Sequence, residues 1–229
     1  MALFEDLQHE VRSIFRERWS KRDGRKVPEY SDLTLTNDAM ELTATVLYAD
    51  INDSTDLVDD HPHTFAAEVY KAFLHCAAKI VRAQNGVVTA YDGDRLMAVF
   101  RGDSKNTNAA IAGLKLNYAR VHIINPELKA QYSDTTYELQ HVVGIDTGKL
   151  LVARTGVRGA NDLVWVGRPA NHAAKLCSLS PEYPTRITAE VYESLAKSAK
   201  YSSGQPMWES ARWTAMGDRQ IYRSTWLHG

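Results

Sequence analysis

Asp92-Gly93 stands between two runs rich in apolar and β-branched residues, Val87–Tyr91 and Arg95–Phe100. An Asp-Gly pair readily adopts the positive backbone angles of a two-residue turn, and such a turn joins antiparallel neighbours. The stretch is therefore predicted as a hairpin, and the rest of the chain has to be arranged around that ribbon. Glu41–Ala49 predicts an earlier strand. Between them, Phe65, Val69, Phe73, Cys76, Ala77 and Ile80 fall at helical spacing, so a long helix is expected after an Asp50–Thr55 loop, stopped by Asn85-Gly86. A second helix is expected from about Asn106 to Ile124, ended by Pro126. Leu139–Ile145 and Lys149–Arg154 predict another hairpin around Thr147-Gly148. Leu163–Val166 predicts a short buried strand and Pro169–Leu179 a helix. Arg186–Thr188, a helix through Ala196 and a hairpin around Gly217-Asp218 complete the chain. The order β-α-β-β-α-β with additions predicts an α+β fold, an antiparallel-rich sheet with flanking helices.

Ahead of this pattern, Leu3, Leu7, Val11, Ile14, Phe15 and Trp19 share one helical face. An amphipathic N-terminal helix and a polar connector containing Gly24 and Pro28 are thus expected over residues 1–38, with a main domain over residues 39–229. A chain of 229 residues that is 44% hydrophobic can form a core without staples. With 27 basic and 28 acidic side chains, it carries no global field to recruit nucleic acid or an anionic membrane, so neither is expected as a partner. Met1–Glu10 contains acidic residues and no unbroken apolar run, and no apolar stretch reaches the ~20 residues of a membrane span. Cys76 and Cys177 sit in apolar helical patterns and read as buried, reduced thiols. A cytoplasmic location follows as the expectation.

Chemistry is suggested at four places. Val46-Leu47-Tyr48-Ala49 delivers Asp50 to a strand end, and Asp94 directly follows the Asp92-Gly93 turn. If the hairpin pairs beside the first strand, the two carboxylates converge and suit a hard divalent cation. Taken singly, Asp50 equally reads as a helix cap, and Asp92 reads as a turn former. Ile51-Asn52-Asp53-Ser54-Thr55 places backbone N–H groups at a helix start, where a triphosphate or an ordinary cap fits. In Gly167-Arg168-Pro169-Ala170-Asn171-His172-Ala173-Ala174-Lys175, Asn171 and Lys175 are four apart on one helical face. An amide beside a cation can hold a ribose and neutralise a reacting phosphate; alone it is more often a solvated helix face.

In this order, the motifs resemble the class III adenylate/guanylate cyclase family from Thr43 to Tyr222. Tyr48-Ala49-Asp50-Ile51 is similar to its first metal-Asp strand, and Gly86 through Asp94 to Phe100 is similar to its second metal-Asp hairpin. Val143 to Gly148 resembles the glycine-containing hairpin that follows. Gly167, Asn171 and Ala173-Ala174-Lys175-Leu176 resemble the helix carrying transition-state residues. The resemblance implies a ferredoxin-like catalytic domain working as a homodimer with shared active sites. It implies two divalent ions, Mn²⁺ or Mg²⁺, held by Asp50, Asp94 and the Ile51 carbonyl. It implies further that Asn171 orients the ribose and Lys175 stabilises the transition state, both from the other subunit.

Departures sharpen the expectation. Purine cyclases carry a Lys where this chain has Ala90, an Asp or Thr where it has Val164, and an Arg where it has Lys175. Losing the polar groups that read a purine edge weakens discrimination for that base, and Lys keeps charge but loses a bidentate fork. The pattern is similar to the bacterial Pycsar-type pyrimidine cyclases, which make cyclic UMP or cyclic CMP as an antiphage signal read by an effector protein. UTP is favoured as substrate over CTP. Tyr48 is a candidate to face the base, or equally a core residue, and Arg212 or Arg219 to reach the β- and γ-phosphates. An adenylate cyclase with an altered pocket, or a cyclase-like module that binds nucleotide without turnover, are the alternatives.

Overall fold

The computed structural model describes residues 2–229, and the chain divides into two compact units, one of residues up to 43 with 149–167, the other of residues 44–148 with 168–229. The helices are α1 (Ala2–Arg16), α2 (Ser54–Asp60), α3 (His63–Ala83), α4 (Lys105–Ala119), α5 (Asn125–Gln131), α6 (Arg168–Cys177), α7 (Ala189–Glu193) and α8 (Lys197–Lys200). The strands are β1 (Ser20–Asp23), β2 (Asp38–Ile51), β3 (Gly86–Asp92), β4 (Arg95–Phe100), β5 (His141–Val157), β6 (Ala160–Val166), β7 (Thr185–Thr188), β8 (Tyr201–Ser202), β9 (Gln205–Pro206), β10 (Glu209–Trp213) and β11 (Arg219–Ser224).

In the larger unit the sheet order is β10-β11-β7-β5-β2-β4-β3, with β5 and β7 parallel. The predicted β3–β4 hairpin forms, but Asp92 pairs with Arg95, so the two turn residues are Gly93, at φ 60°, and Asp94 rather than Asp92-Gly93. Because strand side chains alternate between faces, Leu47, Ala49 and Ile51 of β2 and Leu96, Ala98 and Phe100 of β4 share one face. Phe65, Val69, Phe73, Ala77 and Val81 of α3 and Ala109, Ala110 and Leu114 of α4 pack against it. Each fully buried phenylalanine there contributes roughly 2 kcal/mol. The opposite face carries Tyr48, Asp50 and Met97.

Several sequence expectations are corrected. The long helix starts at His63 rather than after Thr55: Pro62 holds the preceding His61 extended (φ −131°, ψ 157°), which separates α2 from α3. Pro126 does not end the second helix. It sits in the first turn of α5, where its missing N–H costs nothing, after a π-helical turn at Arg120–Ile124. Thr147-Gly148 makes no hairpin and lies inside β5. The Thr147 hydroxyl donates to the Ala44 carbonyl (3.3 Å) and takes a bond from Thr45 (3.0 Å), which ties this stretch down, and the chain reverses instead near Gly159, at φ 89°. The segment Ala189–Ala196 forms only the short α7, with α8 following. Cys177 is buried, but Cys76 only half-buried; both are free thiols.

In the smaller unit, α1 ends at Arg16, so Trp19 lies beyond it. No residue of α1 is buried, and Phe15 is 84% exposed. Asn37 holds the segment following it, its amide donating to the carbonyls of Ile14 and Glu17 (2.8 Å each). β1 runs parallel to the start of β2. The expected buried strand Leu163–Val166 is part of β6, which pairs only with β5 and alternates between exposed and half-buried residues.

His141 opens β5 with both ring nitrogens buried and unpartnered, 5.6 Å from the Phe73 ring. Burial, aided by the Arg120 charge, pushes its pKa down to about 3. The folded state therefore refuses a proton that the unfolded chain accepts near pH 6.5. Stability is full above that pH and declines as pH falls toward 3. Linkage gives a loss of ~2 kcal/mol between pH 7 and pH 5. Urea unfolding at the two pH values should show it in the wild type and show a smaller loss in His141→Met; equal losses would remove His141 as the cause.

Candidate active site

The site face of the larger unit is set by strand register. Tyr48 pairs with Met97, and Met97 pairs with Ala90, so the three stand in a row across β2, β4 and β3. A bulge at Thr89 makes this possible. The register slips between Val88 and Ala90, which puts Ala90 opposite Met97 and Tyr91 opposite Leu96. Tyr48 is half-buried, and desolvation raises the pKa of its phenol. It stands outside the α3-side core.

Beside this row lies the acidic end of β2. Arg95 donates from Nε (2.9 Å) and Nη2 (2.6 Å) to one Asp50 oxygen, Oδ2. Burial raises the Asp50 pKa first; Asp94 and Asp92 add repulsion, while Arg95 opposes both. Asp94 Oδ2 is buried without a hydrogen-bond partner. A buried, orphaned carboxylate oxygen close to a second carboxylate is a donor set of hard oxygens, and it fits a divalent cation. Ile51 follows Asp50 directly, and the chain leaves the strand at Asn52, whose N–H donates to Gln140 (2.9 Å).

The Asn52–Thr55 loop is shaped by Asp53, a non-glycine at φ 55°. Asp53 makes no side-chain cap; the Asn52 amide bonds its carboxylate instead. The first helical bond is Leu57 N–H to the Asp53 carbonyl (3.1 Å), so the Ser54 and Thr55 amides stay outside the helix ladder. A cavity of about 230 Å³ beside the loop is lined by Asp53, Asp56, Asp60 and Glu138 among others.

Asn171 and Lys175 share the exposed side of α6, with Lys175 Nζ 3.6 Å from Met216 Sδ. Among the described residues, no hydrogen bond or ion pair joins either of them to Asp50 or Asp94. The other face of α6 is seated on β5. A Cβ on Gly144 would lie 2.1 Å from the Ala173 carbonyl oxygen and 2.6 Å from the Cys177 nitrogen, so only glycine lets helix backbone lie on the strand here. Leu176 packs with Trp213 and Ile221. Arg212 is turned to the Asp218 carbonyl (3.1 Å), while Arg219 stands near Glu190 and His172. Val164 belongs to the smaller unit, where it pairs with Ala153 and is 38% exposed.

Sequence reasoning missed Arg95 and Met97 as members of the site face. Their signal was the alternation along β4, which pairs with β2 in unbroken register. It also missed the buried group at Asp146, Arg168 and His172.

This geometry is that of a nucleotide cyclase domain. Residues 39–210 match the adenylate and guanylate cyclase catalytic domain, and the chain belongs to that family. It is 51% identical over 227 residues to a uridylate cyclase of Xanthomonas perforans, covering 99% of this chain and 98% of that one. It is 50% identical to a uridylate cyclase of Burkholderia cepacia with the same coverage. Among solved structures it is similar in fold to the adenylyl cyclase CyaB from P. aeruginosa, with a TM-score of 0.63 at 23% identity over 81% of this chain and 95% of that one. No helix among the described residues is long and apolar enough to cross a membrane.

Proposed function

We propose that this chain is a uridylate cyclase that converts UTP to 3′,5′-cyclic UMP and pyrophosphate, working in the cytoplasm as a homodimer. In this reading residues 39–229 form the catalytic domain and residues 1–38 an appended arm. The observation that carries the base assignment is the row Tyr48–Met97–Ala90. It offers one hydroxyl and a ring face, with no amide, carboxylate or ammonium to read a purine edge. The uridylate cyclase names of full-length relatives support the same assignment.

Asp50, Asp94 and the Ile51 carbonyl would hold two divalent ions, Mn²⁺ or Mg²⁺, which supply Lewis acidity to the ribose 3′-hydroxyl and the triphosphate. The Ser54 and Thr55 amides would lie along the phosphates, while the Asn52 N–H is taken by the Gln140 carbonyl. Asn171 of the second subunit orients the ribose so that the 3′-oxygen lines up with the α-phosphorus. That oxygen gives its proton to solvent and forms the new P–O bond as the bond to pyrophosphate breaks. Lys175 of the second subunit balances the charge that builds up. Arg212 or Arg219, on the two strands of the β10–β11 hairpin, would reach the outer phosphates. The product suits a second messenger, and an antiphage role through a cyclic-nucleotide effector is part of this reading.

Side-by-side initial rates with the four nucleoside triphosphates and Mn²⁺ test it. UTP should be consumed fastest, CTP next, ATP and GTP poorly. Each purine contact left unpaired costs on the order of 1–3 kcal/mol, a disadvantage of roughly 5- to 150-fold. Tyr48→Phe should narrow the UTP/CTP gap more than it slows the overall rate. ATP as the best substrate would restore the altered adenylate cyclase, and binding without turnover of any nucleotide would point to a non-catalytic module.

A further inference from the structure

We propose that Asp146 is a positioning residue for this reaction: a buried carboxylate on β5 that, through Arg168 and His172, fixes the register of α6 and with it the placement of Asn171 and Lys175. The inference rests on the roles given to those two residues above.

Val143 and Ile145 point into the core with α3 and α4, so Gly144 and Asp146 point to the opposite face, where α6 lies. Asp146 is completely buried. An ionised carboxylate there costs several kcal/mol unless it is matched by partners. It has them. Its Oδ1 accepts the Thr188 hydroxyl at 2.6 Å, while Arg168 Nε and His172 Nδ1 each lie 3.3 Å from Oδ2. Neither N–H is aimed along its contact to Oδ2; the Arg168 contact is ionic, whereas His172, whose pKa burial lowers, stands against the carboxylate as a neutral ring. Arg168 is held further by the Thr147 carbonyl (2.8 Å) and by Glu190. The His172 ring stands edge-on to Trp213 at 5.5 Å.

Arg168 and His172 are one helical turn apart, and so are Asn171 and Lys175. Two pins one turn apart fix both the rotation of a helix about its axis and its shift along it. Close approach at Gly144 alone would fix neither, since a smooth backbone contact permits sliding. A slip of one residue advances α6 by about 1.5 Å and turns it by about 100°, enough to carry Asn171 off its face. The pins and the reactive pair occupy adjacent sides of a ten-residue helix, so error at one is passed to the other undamped.

Asp146→Asn keeps the shape and the Thr188 bond but removes the charge that holds Arg168 and puts an amide beside the His172 ring. It should lower kcat by about 100-fold, as expected for reacting groups misplaced by an ångström, while KM for UTP changes little. Mixed dimers separate positioning from general damage. An Asp146→Asn subunit paired with an Asp50→Asn subunit should regain activity, because one site then has intact carboxylates from one chain and an intact α6 from the other. Paired with Asn171→Ala it should stay inactive. The Asp50→Asn plus Asn171→Ala mixture tests the shared-site reading itself; if that mixture fails, Asp146 is judged on the kcat and KM split alone. Wild-type kcat in Asp146→Asn overturns the proposal, and so does rescue by Asn171→Ala rather than by Asp50→Asn. Should Asp146→Asn not fold, His172→Gln replaces it, with a smaller fall in kcat expected and wild-type kcat again overturning the proposal.

Discussion

Asp94→Asn is expected to give a folded protein whose turnover is lower by about a thousandfold or more, since metal-ion stabilisation supplies several kcal/mol and each 1.36 kcal/mol is tenfold in rate. Folding should survive because the Asp94 carboxylate has an oxygen with no hydrogen-bond partner to lose, and Gly93 sets the turn without it. Asn presents a neutral oxygen and an N–H₂ group where two carboxylates are needed to balance two dications. Asp50→Asn should lose turnover equally but differ in stability, because it removes the negative charge that strengthens the two bonds from Arg95. That pair is partly exposed, Arg95 by 35%, so the cost is about 1 kcal/mol once solvent screening is allowed for. In a chain of this size that corresponds to a melting temperature lower by roughly 2–4 °C. Initial rates with UTP and Mn²⁺, Mn²⁺ binding followed by electron paramagnetic resonance, and thermal melts read all three effects. Turnover within tenfold of wild type in either variant would remove that carboxylate from the metal site.

The sequence was most informative where local chemistry decides the structure. Asp92-Gly93 allows few backbone geometries, and the β3–β4 hairpin forms where expected. The apolar spacing of Phe65, Val69, Phe73, Cys76 and Ile80 fits a helix face and not a strand, and α3 forms there. Of the site face, Tyr48 and Asp50 were legible from alternation along β2. What stayed hidden depends on contacts distant in sequence. Thr147-Gly148 looks like a turn until the Thr147 side chain bonds β2, about a hundred residues away. The Thr89 bulge has no residue signature of its own, although it decides that Ala90, and not Tyr91, faces the site. Asp146 and His172 read separately as a strand polar residue and a helix histidine. Only the fold brings them to 3.3 Å.

Gly144→Ala should be the most damaging single-methyl change outside the reacting groups. The added Cβ would stand 2.1 Å from the Ala173 carbonyl oxygen, 2.6 Å from the Cys177 nitrogen and 2.8 Å from the Leu176 Cβ. Two of these are helix backbone atoms, which cannot yield by changing a rotamer, so α6 must lift from β5 as a body by more than an ångström. Overpacking of this kind costs about 1–3 kcal/mol or somewhat more, a fall in melting temperature of up to ~10 °C. The catalytic loss should be larger in proportion. Lifting α6 displaces Asn171 and Lys175 together, and an ångström of misplacement is worth about 100-fold in rate. It also stretches the contacts of Arg168 and His172 to Asp146, so the helix loses its stop as well as its seat. The expected signature is a folded protein, a KM for UTP near that of wild type, and a kcat reduced by two orders of magnitude or more. Gly93→Ala provides the contrast: its Cβ meets nothing within 4 Å, and its cost is backbone strain at φ 60° alone. A Gly144→Ala protein with kcat within threefold of wild type would mean that α6 does not need this seat to place its side chains.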